Sequence, residues 1–446
     1  MLSTTRWAAL LFSVALLAAC GGGGGGGGGN GPNPTPDTSG TDFNTLPKGS
    51  FALQLNRSGS GTLPGDQAIY VQLINIMPDK ITYAVIDSSH HVVNGPLGNA
   101  SLGVIKNAQP NMVIPSFKLS ELLNKNLILP GDGKYYGTRI YFSVGKPLTM
   151  TVTNNNTGYI QPNIDDPADP NYATPYDWLE IAYDGIPQPA NPALATVAFG
   201  MNITQVDAFS IPLSYTLMGV KGTSASRGIT LGSNSSSGAT TRDDVMRLYS
   251  KNVSLPFQDL KQVVNGQIVR LIAPFHSSAF KPGGAYANYF DGYVDQVWNY
   301  IAQNPFTVYD QINNVGNQYT VSADSNNNLL IYRNNFGPFL MQKPSTYEIF
   351  SNSGHLQPGG MEVNAFGAML SGALNRHVAT ASTASWYQPS AFYQQEPSND
   401  WAKFWHQVSV GGLAYGFGFD DSANQSSVAI LPADENPLSL KVNVGW

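Results

Sequence analysis

The stretch "YDWLEIAYDG" (Tyr176–Gly185) alternates along the chain in the way that is typical of a β-strand. Alternation divides its side chains between two faces, with Leu179, Ile181 and Tyr183 on one and Trp178, Glu180, Ala182 and Asp184 on the other. A second stretch, "NITQVDAFSIPL" (Asn202–Leu213), predicts another strand, with Asp207 on the face of Ile203 and Gln205. Each strand carries an acid that is either a solvated surface residue or half of a catalytic pair in a shared groove.

Similar short runs fill the first half of the chain, among them "FALQLNR", "IYVQLINI" and "GTRIYFSVG". They are rich in β-branched and aromatic residues and are separated by Gly, Pro, Asn and Asp, which predicts strands. Several short strands at close spacing favour a β-sandwich or barrel. The segment "SFKLSELLN" is an exception that predicts a short helix or turn.

The pattern changes after about residue 223. "TTRDDVMRLYSKN" predicts a helix capped by Thr241, with Asp244 three residues later. "FDGYVDQVWNYIAQNP" predicts a second helix that ends before Pro305. One face of that helix is apolar, formed by Val294, Val297, Trp298 and Ile301.

The remaining segments first continue the mixture of helices and strands and then return to the strand-rich pattern of the first half. "LLIYRN", "STYEIFS", "LAYGFGFDD" and "LSLKVNV" predict strands, "AMLSGALNRHV" predicts a helix, and "WAKFWHQVSV" fits either. We therefore predict one mainly β domain formed by residues 48–225 and 346–446. A mixed α/β domain, residues 226–345, is inserted in its middle.

The N-terminus carries targeting information. Arg6 is followed by the apolar run "WAALLFSVALLAAC", which is short for a membrane span and ends in small residues before Cys20. Residues 1–20 predict a lipoprotein signal with lipidation of Cys20; the alternative is an ordinary secretory signal and a chance cysteine. Residues 21–47 are a Gly/Pro-rich tether. We expect a bacterial cell-envelope protein, either an outer-membrane lipoprotein attached to the membrane by its lipid anchor or a secreted protein.

Composition excludes several functional classes. The net charge is −6 and only 12% of residues are charged, without a basic patch, so nucleic acid is not an expected partner. Abundant Tyr, Asn and Gln favour a neutral, hydroxyl-rich ligand. Cys20 is the only cysteine, so no internal disulfide forms. Neither an HExxH motif nor Cys/His ligand spacing occurs, and we expect no metal, no cofactor and a monomer.

Several motifs resemble those of a known family. "VDAFSIPL" and "YGFGFDD" resemble motifs of thaumatin-like proteins. "GTRIYFSVGKPL", "DWLEIAYDG", "NITQVDAFSIPL" and "GALNRHV" are more similar to glycoside hydrolase family 64, β-1,3-glucanases that share the thaumatin-like sandwich, and "FDGYVDQVWNYIAQNPFTV" resembles their inserted α/β segment. The similarity keeps its order from about Gly49 to the C-terminus. It implies a thaumatin-like β-sandwich or barrel with an inserted α/β domain.

The resemblance also implies roles for individual residues. Glu180 takes the position of the general acid and Asp207 that of the general base. Arg139 matches an arginine of the thaumatin-like acidic cleft, and Asp420 or Asp421 matches an acid of its last motif. The family is inverting, so Asp207 is expected to activate water between carboxyl groups roughly 6.5–9.5 Å apart. The implied substrate is β-1,3-glucan, cleaved within the chain.

Other residues near the pair are expected to modify the cleft. Trp178 is expected to raise the pKa of Glu180 by desolvation, and a nearby Asp184 would act in the same direction. Asn202 replaces a thaumatin-like aspartate and removes one charge. Tyr286 and Tyr289 are candidates for stacking on sugar rings, with ordinary packing as the alternative. The segment between the two strands is longer and richer in Pro than the family pattern.

Three functions remain open on the sequence alone. The first is an endo-acting β-1,3-glucan hydrolase at the cell surface. The second is a non-catalytic thaumatin-like glucan-binding surface lipoprotein, kept open by the altered loop. The third is a surface protein with another partner. Retention of both Glu180 and Asp207 favours the enzyme.

Overall fold

A computed structural model describes residues 50–446, apart from residues 65–66, 78, 87–99, 124, 130–134, 184–196, 234, 311–316, 360, 421–424, 426–428 and 433–434. The predicted signal, the tether and Cys20 lie outside the described residues, as do Asp184 and Asp421. Within the described ranges, no helix combines the length and apolar character needed to cross a bilayer.

The largest element is a 13-stranded sheet, whose strands are numbered along the chain. They are β1 (Phe51–Ser58), β2 (Ile69–Ile76), β3 (Ile81–Ile86), β4 (Ala100–Asn107), β5 (Phe117–Lys118), β6 (Asn126–Leu129), β7 (Tyr135–Val144), β10 (Tyr176–Tyr183), β11 (Val197–Ile203), β13 (Leu213–Gly219), β14 (Ser224–Gly228), β21 (Ala429–Pro432) and β22 (Pro437–Gly445). Their order is β14-β13-β22-β1-β6-β4-β3-β2-β7-β10-β11-β21, and β5 pairs with β2. The predicted mainly β fold is confirmed.

This sheet folds over on itself around an apolar core. Alternate residues of β1, β13 and β22 bury against those of β2, β7, β10 and β11 in a single cluster. Phe51 of β1 makes edge contacts with Tyr135 of β7 and Phe199 of β11, at ring-centroid distances of 5.8 and 5.5 Å. Because one face of each strand is apolar, the two halves pack face to face as a sandwich.

The first and last strands of the described chain meet in this sheet. β22 pairs in parallel with β1, in register at Leu53 and Leu440, and antiparallel with β13 on its other side. Residues from both sides of the α/β segment therefore share one sheet.

The part of the chain between β14 and β21 forms a second core. Its elements are α1 (Arg242–Asn252), α2 (Leu255–Gln258), β15 (Lys261–Val264), β16 (Gln267–Ile272), α3 (Asp291–Gln303), β17 (Phe306–Tyr309), β18 (Gln318–Ala323), β19 (Leu329–Arg333), β20 (Phe336–Met341), α4 (Thr346–Ser351), α5 (Met361–Asn375) and α6 (Asp400–Val408). Strands β17 to β20 form an antiparallel sheet in sequence order. The short strand β12 (Ala208–Phe209) pairs with β16, and β8 (Thr151–Val152) pairs with β9 (Tyr159–Ile160).

Short 3₁₀ turns connect several of these elements, at Leu119–Glu121, Pro274–His276, Gly354–Leu356, Thr383–Tyr387, Pro389–Ala391 and Val410–Gly412. The first of them confirms the helix or turn expected in "SFKLSELLN". The Pro274–His276 turn directly follows β16 and begins with Pro274 at its first position.

The second core includes helices that the sequence analysis placed in the sandwich. Residues of α4, α5 and α6 are buried in one cluster with α1, α3 and the β17–β20 sheet. Trp405 of α6 stacks on Tyr249 of α1 at 5.9 Å, and Trp401 meets the same ring edge-on at 5.6 Å. Residues 346–408 thus pack with the α/β segment, and it is mainly β21 and β22 that return to the sandwich.

The structure confirms the two helices whose capping and apolar pattern were recognised in the sequence, α1 and α3. Thr241 and Asp244 form a reciprocal capping box at α1, as predicted. The apolar face of α3 is buried, with Val297, Trp298 and Ile301 fully enclosed.

Two predicted strands are wrong. "STYEIFS" forms α4, because Ser345 and Glu348 make a second capping box that satisfies the first backbone N–H groups. The segment "LAYGFGFDD" is irregular up to residue 420, because the carboxylate of Asp420 accepts a hydrogen bond from the backbone N–H of Gly416 at 2.9 Å. A side chain that hydrogen-bonds a backbone group a few residues away favours a turn over the hydrogen-bond pattern of a sheet.

Candidate active site

Glu180 lies on the outer face of β10, as the alternation predicted. Leu179 and Ile181 are buried in the sandwich core, and Trp178 packs on the opposite face in a cluster with Tyr141 and Tyr176. Because successive side chains of a strand point to opposite faces, Glu180 shares the outer face with Trp178. The Glu180 side chain is 25% exposed, so it lies within reach of solvent.

Two neighbouring strands supply polar partners for Glu180. In register, Glu180 lies opposite Arg139 of β7 and Asn202 of β11. Arg139 Nε donates to Glu180 Oε1 at 2.6 Å, and Asn202 Nδ2 donates to Oε2 at 3.3 Å. The two carboxylate oxygens are therefore each oriented by one donor.

Arg139 is itself held in place. Its Nη1 donates to Gln161 Oε1 at 2.7 Å and to the Tyr141 hydroxyl at 3.3 Å, and its guanidinium lies 5.4 Å from the centre of the Trp178 ring. Desolvation would lower the pKa of Arg139, but the charge of Glu180, together with Tyr141 and Tyr159, outweighs it and holds the guanidinium pKa well above its usual value. The structure places three predicted substrate contacts near Glu180: Arg139, Trp178 and Asn202. Arg139 and Asn202 contact the Glu180 carboxylate directly.

Asp207 does not lie on a strand, contrary to the prediction. β11 ends at Ile203, and Asp207 follows in the connection to β12. The predicted alternation fails at Gln205, which is buried: its backbone N–H donates to Tyr415 O at 2.8 Å and its carbonyl accepts from Trp401 Nε1 at 2.9 Å. These bonds to the second core take the chain out of the sheet before Asp207.

A histidine from the α/β segment contacts Asp207. His276, in the turn after β16, places Nε2 3.1 Å from Asp207 Oδ1. Its Nδ1 lies 2.9 Å from both carboxylate oxygens of Asp165. The His276 side chain is 11% exposed and that of Asp207 is 42% exposed. Asp207 therefore exposes part of its carboxylate to solvent, while Oδ1 contacts His276.

These contacts shift the pKa values of both groups. Desolvation would raise the pKa of Asp207, but the hydrogen bond and charge of His276, with the charge of Arg139, outweigh it and hold the pKa below its usual value. Desolvation would lower the pKa of His276, yet Asp165 and Asp207 raise it to about 9. At neutral pH His276 is an imidazolium beside a carboxylate.

Arg139 connects the two acids. It forms an ion pair with Glu180, and its charge also lowers the pKa of Asp207. The charge of one guanidinium therefore acts on both carboxyl groups. The five side chains Glu180, Asn202, Arg139, Asp207 and His276 are together called the carboxylate groove below.

A buried carboxylate fixes the segment that carries Asp207. Asp177 Oδ2 accepts from the backbone N–H groups of Ser210 and Ile211, both at 2.6 Å. Desolvation raises the Asp177 pKa to about 7, partly opposed by these two bonds and by the charges of Arg270 and Arg242. β10 thus carries Glu180 and also holds the chain just after Asp207.

Asp420, one of the two acids expected from the last motif, is buried next to α5 and α6. Its side chain is 0% exposed and contacts Arg376 Nη2 and His406 Nε2, both at 2.9 Å. An enclosed carboxylate with these partners stabilises the second core. Asp421 and Asp184 lie outside the described residues.

The two candidate stacking tyrosines pack in the second core. The Tyr289 hydroxyl donates to Glu396 Oε2 at 3.1 Å and Ser398 O at 3.0 Å. Its ring contacts Phe257, Phe280, Phe290 and Phe350. Tyr286 packs on Phe280 at 5.6 Å. These contacts match the alternative reading of both residues as packing.

Sequence reasoning missed His276, Asp165 and Gln161. His276 lies 111 residues from Asp165 and 69 from Asp207 along the chain, so no local spacing marks the cluster. Among the described residues, no group of three or more His, Cys, Asp or Glu side chains is arranged to hold a metal ion.

Comparison with solved structures places this fold in a class. A beta-1,3-glucanase domain of glycoside hydrolase family 64 from Clostridium beijerinckii is 27% identical, with a TM-score of 0.67, covering 90% of this chain and 99% of that one. A family 64 laminaripentaose-producing beta-1,3-glucanase from Paenibacillus barengoltzii is 23% identical, with a TM-score of 0.61 over 93% of this chain and 80% of its own, and shows the same fold. The class is the family 64 glycoside hydrolase fold.

The family model described as beta-1,3-glucanase, glycoside hydrolase family 64, matches residues 57–444, and the chain belongs to this family. A glucan endo-1,3-beta-glucosidase from Arthrobacter sp. (strain YCWD3) is 26% identical over 315 residues, which cover 69% of this chain and 52% of that protein. A glucan endo-1,3-beta-glucosidase from Cellulosimicrobium cellulans is 25% identical over the same shares. The chain spans about half the length of these curated relatives. The resemblance to glycoside hydrolase family 64 that was identified in the sequence is confirmed.

Proposed function

We propose that the protein is an endo-acting glycoside hydrolase that cleaves β-1,3-glucan with inversion of configuration. The observation that carries the proposal is the carboxylate groove, where the charge of Arg139 acts on both Glu180 and Asp207 and both carboxylates remain partly exposed. Two carboxyl groups in one groove are what glycoside hydrolysis requires. Membership of the beta-1,3-glucanase family supports the choice of substrate.

In this proposal each acid has a different task. Glu180 in its protonated form donates its proton to the leaving glycosidic oxygen, and Arg139 and Asn202 orient its two oxygens. Asp207, kept ionised by His276, accepts a proton from the water that attacks the anomeric carbon. The C–O bond to the leaving sugar breaks as the bond to water oxygen forms, so the new reducing end has the opposite configuration.

Hydrolysis of laminarin tests this proposal. The purified protein is expected to release reducing ends, and short incubations should yield oligosaccharides because an endo-acting enzyme cuts within the chain. ¹H NMR during the first minutes should show the α-anomer ahead of the β-anomer. Fresh β-anomer would contradict the inverting mechanism. Binding to insoluble glucan without any cleavage would instead support the non-catalytic glucan-binding alternative.

We further propose that a lipid on Cys20 anchors the enzyme to a bacterial membrane, with the outer membrane as the expected site. The sequence "LLAAC" and the tether that follows support this. Cys20→Ser is expected to abolish acylation, so the protein either leaves the membrane fraction or keeps an uncleaved signal. Unchanged fractionation and gel mobility of Cys20→Ser would argue against the anchor, and Ser3→Ala provides a control near the N-terminus.

A further inference from the structure

His276 lies between two carboxylates that come from different parts of the chain. Nδ1 is 2.9 Å from both oxygens of Asp165, and Nε2 is 3.1 Å from Asp207 Oδ1. The ring also packs against its neighbour Phe275 in a tilted arrangement, with 4.1 Å between ring centroids. The imidazole is therefore held on both nitrogens and on one face.

The hydrogen-bonding partners define the charge of this ring. An ionised carboxylate only accepts hydrogen bonds, and a neutral imidazole has one donor nitrogen. Both contacts are satisfied together only when both nitrogens carry hydrogen, and that form is the imidazolium. The His276 pKa of about 9 agrees with this reading.

We propose that His276 is a positioning residue that holds Asp207 in a fixed orientation and keeps it ionised as the base, with Asp165 anchoring the imidazolium. This inference rests on the proposed function, in which Asp207 activates water. His276 itself accepts no proton from the reaction. His276 contributes a fixed positive charge next to Asp207 Oδ1, and the exposed part of the carboxylate remains free to contact water.

None of the other charged or titratable groups found to act on Asp207 supplies a positive charge in direct contact with its carboxylate. Arg139 of β7 lies close enough to lower the Asp207 pKa, but its Nε contacts Glu180. Asp165 has the same charge as Asp207 and raises its pKa. The phenol of Tyr176 on β10 is coupled to Asp207 but has its own pKa raised by burial, so it is neutral. His276 is thus the cation that contacts Asp207.

Removing the charge is expected to move the pH profile. In His276→Gln the desolvation of Asp207 is no longer opposed by an adjacent cation, so the Asp207 pKa rises. The acid limb of kcat/KM on laminarin should move to higher pH by at least about one unit, the lower range for loss of an adjacent opposite charge. His276→Arg keeps a positive charge with several donors, so its acid limb should remain near that of the wild type.

A matched control separates this effect from a general loss of stability. His355 also contacts a carboxylate, with Nδ1 3.1 Å from Glu348 Oε2, but it is exposed and lies in the Gly354–Leu356 turn after α4. His355→Gln should leave the acid limb unchanged. A purely structural role of His276 would lower activity equally at every pH and leave the limb of His276→Gln in place, and that result would overturn the proposal.

Histidine NMR provides a readout that does not require activity. In the full protein, the imidazole signal that disappears in His276→Gln should titrate well above pH 7, near 9. In Asp207→Asn the same signal should titrate at lower pH, because one of the two carboxylates is gone. A His276 midpoint at or below 6.5 in the wild type would exclude the imidazolium and contradict the proposal.

The two proposals fail in different ways. If Asp207→Asn retains full activity on laminarin, Asp207 is not the base, and the proposed mechanism and this inference fall together. If Asp207→Asn is inactive while His276→Gln keeps the wild-type acid limb, the mechanism stands and the inference alone is wrong.

Discussion

Glu180→Gln is expected to lower kcat on laminarin by about 10² or more, the lower range of what a positioned general acid contributes. Glutamine keeps the shape of the side chain and one oxygen that accepts from Arg139 Nε. It has no acidic proton for the leaving oxygen. The amide NH₂ can face Asn202 if the Asn202 side chain turns its own oxygen toward it. Fold and groove should therefore persist while the chemical step is lost.

Three measurements make this result specific. Affinity for insoluble β-1,3-glucan should stay near that of the wild type, because the lost interaction acts in the transition state. The unfolding temperature should change little. Glu121→Gln, an exposed glutamate in the turn between β5 and β6, provides the matched control and should retain full activity. Wild-type kcat in Glu180→Gln would move the acid to another residue.

Asp207→Asn is expected to cause a loss of similar size, for a different reason. Asparagine cannot accept a proton from water, so the attacking nucleophile is not activated. Asp259→Asn, an exposed aspartate just after α2, is the control and should remain active. Binding to glucan should again persist. Full activity of Asp207→Asn would contradict the assignment of the base.

A smaller side chain offers a positive test of the same role. In Asp207→Ala, the space left by the carboxylate admits azide, which attacks without needing a base. Rescue by azide should yield an α-glycosyl azide, because attack comes from the face opposite the leaving group. A β-glycosyl azide would indicate that Asp207 lies on the leaving-group side instead.

The position of Glu180 could be predicted because its strand is regular. Alternation in β10 is a local property, and each residue that it placed on the core side and that the structure describes is buried. The partners Arg139 and Asn202 follow from strand pairing, which places them opposite Glu180. Sequence motifs therefore sufficed for this half of the groove.

The position of Asp207 could not be predicted in the same way. The pattern continues past Ile203, but Gln205 is held by Trp401, which lies 196 residues later in the chain. A bond over that distance leaves no trace in local periodicity. The same limit applies to His276, whose partners come from two other segments. It applies also to α5 and α6, whose apolar faces do not reveal which core they join.

Helix α4 was mispredicted for a different reason, because the decisive signal was local but unrecognised. "STYEIFS" has the aromatic and β-branched residues that favour a strand. Ser345 and Glu348, however, carry the same capping pattern that identified α1. The cap decided the structure of this short segment.

The place of β22 in the sheet has a consequence for biosynthesis. Because β22 lies between β1 and β13, the sandwich cannot be completed until the final residues of this segment have left the ribosome. Pairing between Leu53 and Leu440 closes almost the whole described chain, so the contact order of the sandwich is high and its folding is expected to be slow. The same delay leaves the edges of β1 and β13 unpaired, and these are the segments that chaperones would need to protect from aggregation.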